Sequence, residues 1–260
     1  MSGSGVTQGL RQVRFTNTAF WRNPASAFFT FAFPLMFLVI FTALLGGGTI
    51  IVNGLKFNQS TYYVVSMASF AVITACYTNI AISVTFQRDS GVLKRTRGTP
   101  LPSWAYLSAR VLHAMIIAFV LVIICGLFGK IAYGADIPTG LPLLQVIVIV
   151  FIASMSFAAL GLALTAAIPN ADASPAIVNA TVLPLLFLSG VFIPVTDSSP
   201  LWVRTVSAVF PVKHFVNAFM GSYYGQPFFV FRWRDVGIVA IWGIVGLILA
   251  ARYFSWEPRK

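Results

Sequence analysis

Six stretches of this chain, 25–45, 61–86, 111–129, 140–169, 175–194 and 236–251, each run sixteen residues or more without an Asp, Glu, Lys or Arg. No other feature constrains the fold as strongly. Backbone carried into hydrocarbon must satisfy its own N–H and C=O groups, so only helices and closed barrels can cross. A crossing helix needs about 20 apolar residues, the scale of these runs.

Composition agrees. Of 260 residues, 58% are hydrophobic and 9% charged, where a soluble domain carries about 25% charged residues. The expected fold is an all-α integral membrane protein, one domain over 1–260 with about six transmembrane helices. The fourth run is longer than a bilayer requires and allows a tilted or protruding helix. The sixth is short, so Arg234 and Arg252 are expected to snorkel at its ends. The opening residues, MSGSGVTQGLRQVRF, are polar and basic and the first apolar run is too long for a signal sequence, so no cleavable signal is expected.

The net charge of +11 could point to nucleic acid, but no basic face with interleaved aromatics occurs outside the apolar context, and no nucleic-acid partner is expected. Topology accounts for the charge. With both termini cytoplasmic, Arg11, Arg14, Arg22, Arg88, Lys94, Arg95, Arg97, Arg110, Arg252, Arg259 and Lys260 lie inside, eleven in all. Six lie outside: Lys56, Lys130, Arg204, Lys213, Arg232 and Arg234. That bias is the positive-inside rule of a bacterial-type plasma (inner) membrane protein.

Two segments outside the runs have helical periodicity. Over 6–22, Val6, Leu10, Val13, Phe20 and Trp21 share a spacing that leaves Arg11, Arg14 and Arg22 on other faces, as in an amphipathic helix at the membrane interface. Asn23-Pro24 ends it. Over 200–224, apolar periodicity is interrupted by Arg204, Pro211, Lys213 and His214, too polar to cross lipid alone. Short re-entrant extracellular helices packed on protein are expected there.

Chemistry of its own is hard to find. His113 and His214 stand apart and no metal site is expected. Cys76 and Cys125 lie in apolar runs as buried thiols. Gly129-Lys130 lacks the Ser/Thr and upstream Gly of a phosphate loop. Ser189-Gly190 has no G-x-S-x-G flanks and reads as close packing or a bend. No acid lies mid-run, which disfavours an ion-coupled carrier. No catalytic residue is expected.

Taken in order, several motifs resemble the membrane permease subunit of ABC-2 type transporters over nearly the whole chain. They are the basic N-terminal helix ending in Arg22-Asn23-Pro24, Phe33-Pro34-Leu35, the segment with Arg88, Asp89, Gly91, Leu93, Lys94, Arg95, Thr99 and Pro100, and Leu183-Pro184. Leu188 to Pro194 (LSGVFIP) and Pro211 complete the set. Asp89 stands where the family often has Glu.

The resemblance implies a half-transporter in the membrane. A second permease protomer, identical or a paralogue, would pair with it, and two ABC ATPase subunits would hold the ATP and Mg, with no cofactor in this chain. The 87–108 segment would then be a cytoplasmic coupling helix: Val92 and Leu93 seated in an apolar cleft of the ATPase, Gly91 allowing a tight start, and Arg88, Asp89, Lys94, Arg95 and Arg97 meeting its charges. Arg11, Arg14 and Arg22 would add interfacial-helix contacts, and the first, second and fifth spans would face the dimer axis. Phe33, Phe37, Phe187 and Phe192 offer an aromatic surface to a hydrophobic or amphipathic export substrate, drug or lipid. A non-transporting membrane scaffold is the alternative from another class.

Overall fold

The computed structural model describes residues 5–52, 55–99, 101–195, 199–223 and 232–257. Pro100, Asp197, Tyr224, Arg259 and Lys260 fall outside them. Eleven α-helices are described: α1 (Gly5–Trp21), α2 (Pro24–Leu45), α3 (Gln59–Ile73), α4 (Asn79–Asp89), α5 (Val92–Arg97), α6 (Ser103–Tyr133), α7 (Leu141–Leu164), α8 (Ser174–Leu188), α9 (Leu201–Ser207), α10 (Pro211–Tyr223) and α11 (Trp233–Tyr253). Among the described residues the fold is all-α apart from one antiparallel pair of strands, β1 (Thr49–Val52) and β2 (Leu55–Asn58), with Thr49 opposite Asn58. Nothing in the apolar pattern announced that pair.

Among the described residues, five helical stretches are long and apolar enough to cross a membrane: Pro24–Leu45, Gln59–Asp89, Trp104–Tyr133, Leu141–Leu164 and Trp233–Tyr253. The run at 175–194 behaves differently. Its helix has 15 residues, about 22 Å at 1.5 Å per residue. It stops at Leu188 because Gly190 takes φ +85°, a left-handed conformation that breaks the helix. The Tyr62 hydroxyl donates to the Gly190 carbonyl, and Phe192 turns back into the core.

Helix ends follow from local sequence. Asn23 caps α2 by accepting from Ser26 N at 3.2 Å, with Pro24 in the first turn, where a missing N–H costs nothing. Asn58 caps α3 through Ser60. Gly134, at φ +63°, ends α6 with Ala135 N donating back to Gly129 O, the Schellman pattern that satisfies terminal carbonyls.

The centre of the bundle is α3, buried on all faces from Ser60 to Ile73. It continues through a π-helical turn, Thr74–Thr78, into α4. Lipid offers helices no hydrophobic incentive to associate, so close approach of backbones has to supply the packing. Glycines provide it. A Cβ on Gly129 would fall 2.1 Å from Val64 Cγ2, one on Gly161 2.7 Å from the Tyr77 carbonyl, and one on Gly246 2.8 Å from Leu160 N. These contacts seat α6 on α3, α7 on the π turn and α11 on α7. The segment expected to be re-entrant contains α9 and α10. α10 is buried at most positions and packs on α3, α7 and α11.

Candidate functional site

The basic stretch after the second run forms a corner at one end of the bundle. Helix α4 ends at Asp89, Gly91 takes φ +73°, and α5 starts at Val92. A left-handed residue here reverses the chain with no clash, which glycine alone does cheaply. α5 then presents Lys94, Arg95 and Arg97 outward, all exposed. Arg95 also donates to the Ser90 carbonyl at 3.3 Å.

Arg88, Asp89 and Leu93 are not part of that outward face. Arg88 is 2% exposed. Its Nε donates to Asp89 Oδ1 at 3.0 Å, and its two terminal nitrogens donate to the carbonyls of Thr165 at 3.0 Å, Ile168 at 2.9 Å and Pro169 at 3.0 Å. Asp89 Oδ2 accepts from Ala171 N at 2.5 Å. The pair thus binds the end of α4 to the α7–α8 connection and satisfies carbonyls left open at the end of α7. Arg88, expected to meet ATPase charges, is instead buried with its hydrogen bonds taken by internal groups, and Asp89, partly exposed, is held in the same corner. Leu93 is fully buried in this chain's own core, so it does not seat in a partner's cleft; Val92 is half-buried.

The same corner holds a network that sequence reading missed. The Tyr106 hydroxyl bonds Gln87, and Arg110 donates to Tyr106 at 3.3 Å and Ser83 at 3.2 Å. α4 is thereby tied to α6 as well as to α7. A signal existed for Arg88, since the end of an apolar helix needs donors or a cation. Which cation supplies them is a matter of tertiary placement.

α1 lies along the first half of α6 and against α2. Gly9 abuts Ala105, Phe20 meets His113 edge-on at 5.5 Å, and Trp21 stacks on Phe31 at 5.7 Å. Arg11, Arg14 and Arg22 point outward.

The four selected phenylalanines come together. Phe192 is the hub, with ring centroids 5.9 Å from Phe37, 5.9 Å from Phe41, 5.6 Å from Phe70 and 4.9 Å from Phe187. Phe33 joins through Phe37 at 5.2 Å. Phe41, Phe70 and Tyr63 also belong to the cluster, and of these Phe70 and Tyr63 were not expected from the sequence. Phe192 is buried, whereas Phe33 and Phe187 stay exposed at the rim. α2 is otherwise bare on one side, with Phe28, Phe29, Met36 and Ile40 exposed.

Outside the spans, His214 is the titratable group with the firmest geometry. Its Nδ1 is 2.5 Å from Asp235 Oδ1 and its Nε2 2.9 Å from the Ala208 carbonyl, and Arg232 donates to the other Asp235 oxygen at 3.3 Å. With an acceptor on each side the imidazolium is favoured. The Asp235 hydrogen bond, opposed by burial, raises the His214 pKa above the ordinary histidine value. Among the described residues no three His, Cys, Asp or Glu side chains gather to hold a metal.

A helical bundle in which, among the described residues, five helices are long and apolar enough to cross a membrane defines a multi-pass membrane protein. The chain belongs to the ABC-2 type transporter family, which matches residues 10–224. It is similar to a protein of Cyanophora paradoxa named as the transport permease ycf38, 23% identical over 83% of this chain and 78% of that one. It is also similar to two proteins named nodulation protein J. The one from Rhizobium leguminosarum bv. viciae is 32% identical over 34% of this chain and 33% of that protein. The one from Rhizobium leguminosarum bv. trifolii is 27% identical over 47% and 46%. Membership makes the chain the membrane component of a transporter, a permease not catalytic by itself, and implies partnership with an ABC ATPase.

Proposed function

We propose that this chain is the permease half of an ATP-driven exporter in a bacterial-type inner membrane, both termini cytoplasmic. Two ATPase subunits, carrying ATP and Mg, dock on its basic end, and a second permease protomer covers the bare side of α2. The cargo is a hydrophobic or amphipathic compound, drug or lipid, passing the aromatic surface of α2 and α8.

The observation that carries the proposal is the division of labour at the α4–α5 corner. Lys94, Arg95 and Arg97 face out, while Leu93 and Arg88 anchor the same corner to α4, α7 and the core. A push on the outer cations is therefore passed to at least three spans as a rigid displacement. A solvated topology loop needs the charges but not the anchors.

The test is co-purification of the complex with hydrolysis measured against candidate cargo. Reversing Lys94, Arg95 and Arg97 to Glu together should release the ATPase or abolish cargo-stimulated hydrolysis while the permease still folds and inserts. Normal assembly and export by that variant would overturn the docking assignment.

A further inference from the structure

An apolar groove of about 820 Å³ runs along the flank of the bundle away from the aromatic joint, walled by α1, α6, α7, α11 and the segment after α11. Its mouth lies at Leu10, Trp104 and Trp256, and its inner end at Met115 and Phe151. Eleven residues separate Trp104 from Met115 on α6, about 16 Å at 1.5 Å per residue. That is close to one leaflet's share of a hydrocarbon core about 30 Å thick. The wall's hydroxyl, Ser108, is turned back onto the Ala105 carbonyl at 3.2 Å, so the groove offers apolar surface along its length.

The mouth has the character of a headgroup level. Trp104, 57% exposed, and Trp256 both line the groove, and tryptophans gather at membrane–water interfaces. Arginines follow the wall residues in sequence: Arg11 after Leu10, Arg14 after Val13 and Arg252 after Ala251, all exposed. Glu257, beside Trp256, is the acid adjoining the wall, and the arginines outnumber it. A slot one leaflet deep whose wall residues Leu10, Val13 and Ala251 are each followed by an exposed arginine is complementary to an amphiphile with one apolar tail and an anionic head.

We infer that this groove holds an acyl chain of an anionic phospholipid, drawn from the leaflet in which α1 lies, with its headgroup at Arg11, Arg14 and Arg252. The lipid fills the seam between α1 and the ends of α6, α7 and α11, and so splints the N-terminal helix to the spans. The inference does not depend on the identity of the cargo or on the ATPase.

The experiment uses the full chain in vesicles of mixed phosphatidylglycerol and phosphatidylcholine. A trace of either lipid carries a photoactivatable group in its acyl chain, and crosslinks are mapped by peptide mass spectrometry. The phosphatidylglycerol probe should label the stretches around Ala109–Met115 and Phe151–Met155 in preference to the outward face of α6 at Ile123. Ala251→Trp, which fills the mouth from an exposed position, should lower that labelling at least about fivefold, because the tail loses its apolar bed. Ile123→Trp should leave it unchanged, and Arg11→Glu with Arg252→Glu should erase the preference for phosphatidylglycerol.

Even labelling of all outward positions, equal labelling by the two probes in the wild-type chain, or indifference to Ala251→Trp would overturn the inference. So would full displacement by palmitate, which would make the occupant a free fatty acid. If Ala251→Trp fails to give a monodisperse protein, Met155→Trp on the α7 wall replaces it, and the wild-type crosslink map decides without any variant.

Discussion

Arg88 on α4 donates to the carbonyl of Thr165 at the end of α7, 3.0 Å away and shielded from solvent. The bond joins two spans through residues 77 positions apart, and it does so next to the surface through which the proposed ATPase would act. Arginine suits the position because its planar fork reaches several carbonyls at once and stays charged.

Replacing Arg88 should therefore be costly. Arg88→Ala leaves the carbonyls of Thr165, Ile168 and Pro169 without their donor and Asp89 without its cation, a loss of about 3–5 kcal/mol by analogy with broken buried pairs. Arg88→Lys should recover only part of it. The check is thermal unfolding of the purified permease followed by size-exclusion chromatography; equal unfolding temperatures for all three proteins would contradict the role.

Asp89→Glu restores the residue the family often has at this place, on a longer arm. In this chain both carboxylate oxygens are already engaged, with Arg88 and with Ala171 N, so one added methylene overshoots both. We expect a loss of about 1 kcal/mol, the size of a displaced hydrogen bond. A gain in stability or transport would show that the shorter arm is not matched to this corner.

Gly246 and Gly237 lie on the same helix in different surroundings. A Cβ at Gly246 meets Leu160 N at 2.8 Å, whereas one at Gly237 meets nothing within 4 Å. Gly246→Ala should force α11 off α7 and cost about 1–3 kcal/mol. Gly237→Ala should stabilise by up to about 1 kcal/mol through helix propensity. Unfolding temperatures moving in opposite directions is the expected readout.

Phe192 and Phe33 separate packing from pathway. Phe192→Ala removes the hub of four ring contacts and should cost about 3 kcal/mol or more. Phe33→Ala, at an exposed rim position, should leave stability within about 0.5 kcal/mol and reduce export of a hydrophobic cargo. Unchanged export and drug tolerance in the folded Phe33→Ala variant would count against the pathway.

The His214–Asp235 contact gives the protein a pH dependence with a definite sign. Because the folded pKa of His214 is raised, the stabilisation is fully present below the unfolded value of about 6.5 and disappears as pH rises through the folded value. Arg232 shares Asp235, and Lys213, with Nζ 3.0 Å from Ser207 Oγ, opposes the imidazolium charge. The unfolding temperature should decline across that rise in wild type, and His214→Gln should remove this part of the decline.

Much of the architecture was legible in the chain. Long uncharged runs and the Asn23-Pro24 break place helices by local rules, so the apolar runs and the amphipathic helix at the N-terminus follow from composition and periodicity. The end of α8 was harder. Nothing in the apolar run 175–194 says that Gly190 will turn left-handed, because that conformation is chosen by the Tyr62 contact and by the room available to Phe192. The strand pair at 49–58 escaped notice because its strands are four residues long and only half-alternating.

The candidate site divides along the same line. The sequence by itself determined that this is a membrane-spanning bundle and that Lys94, Arg95 and Arg97 form a basic stretch between two apolar runs, because charge and hydropathy are properties of single residues. Tertiary structure alone decided that Arg88, Asp89 and Leu93, written in the same few residues, turn inward to hold α4, α7 and the core together. The reason is geometric: whether a charged side chain meets solvent or a buried carbonyl depends on the neighbour that packing brings within 3 Å, and that neighbour lies in another span.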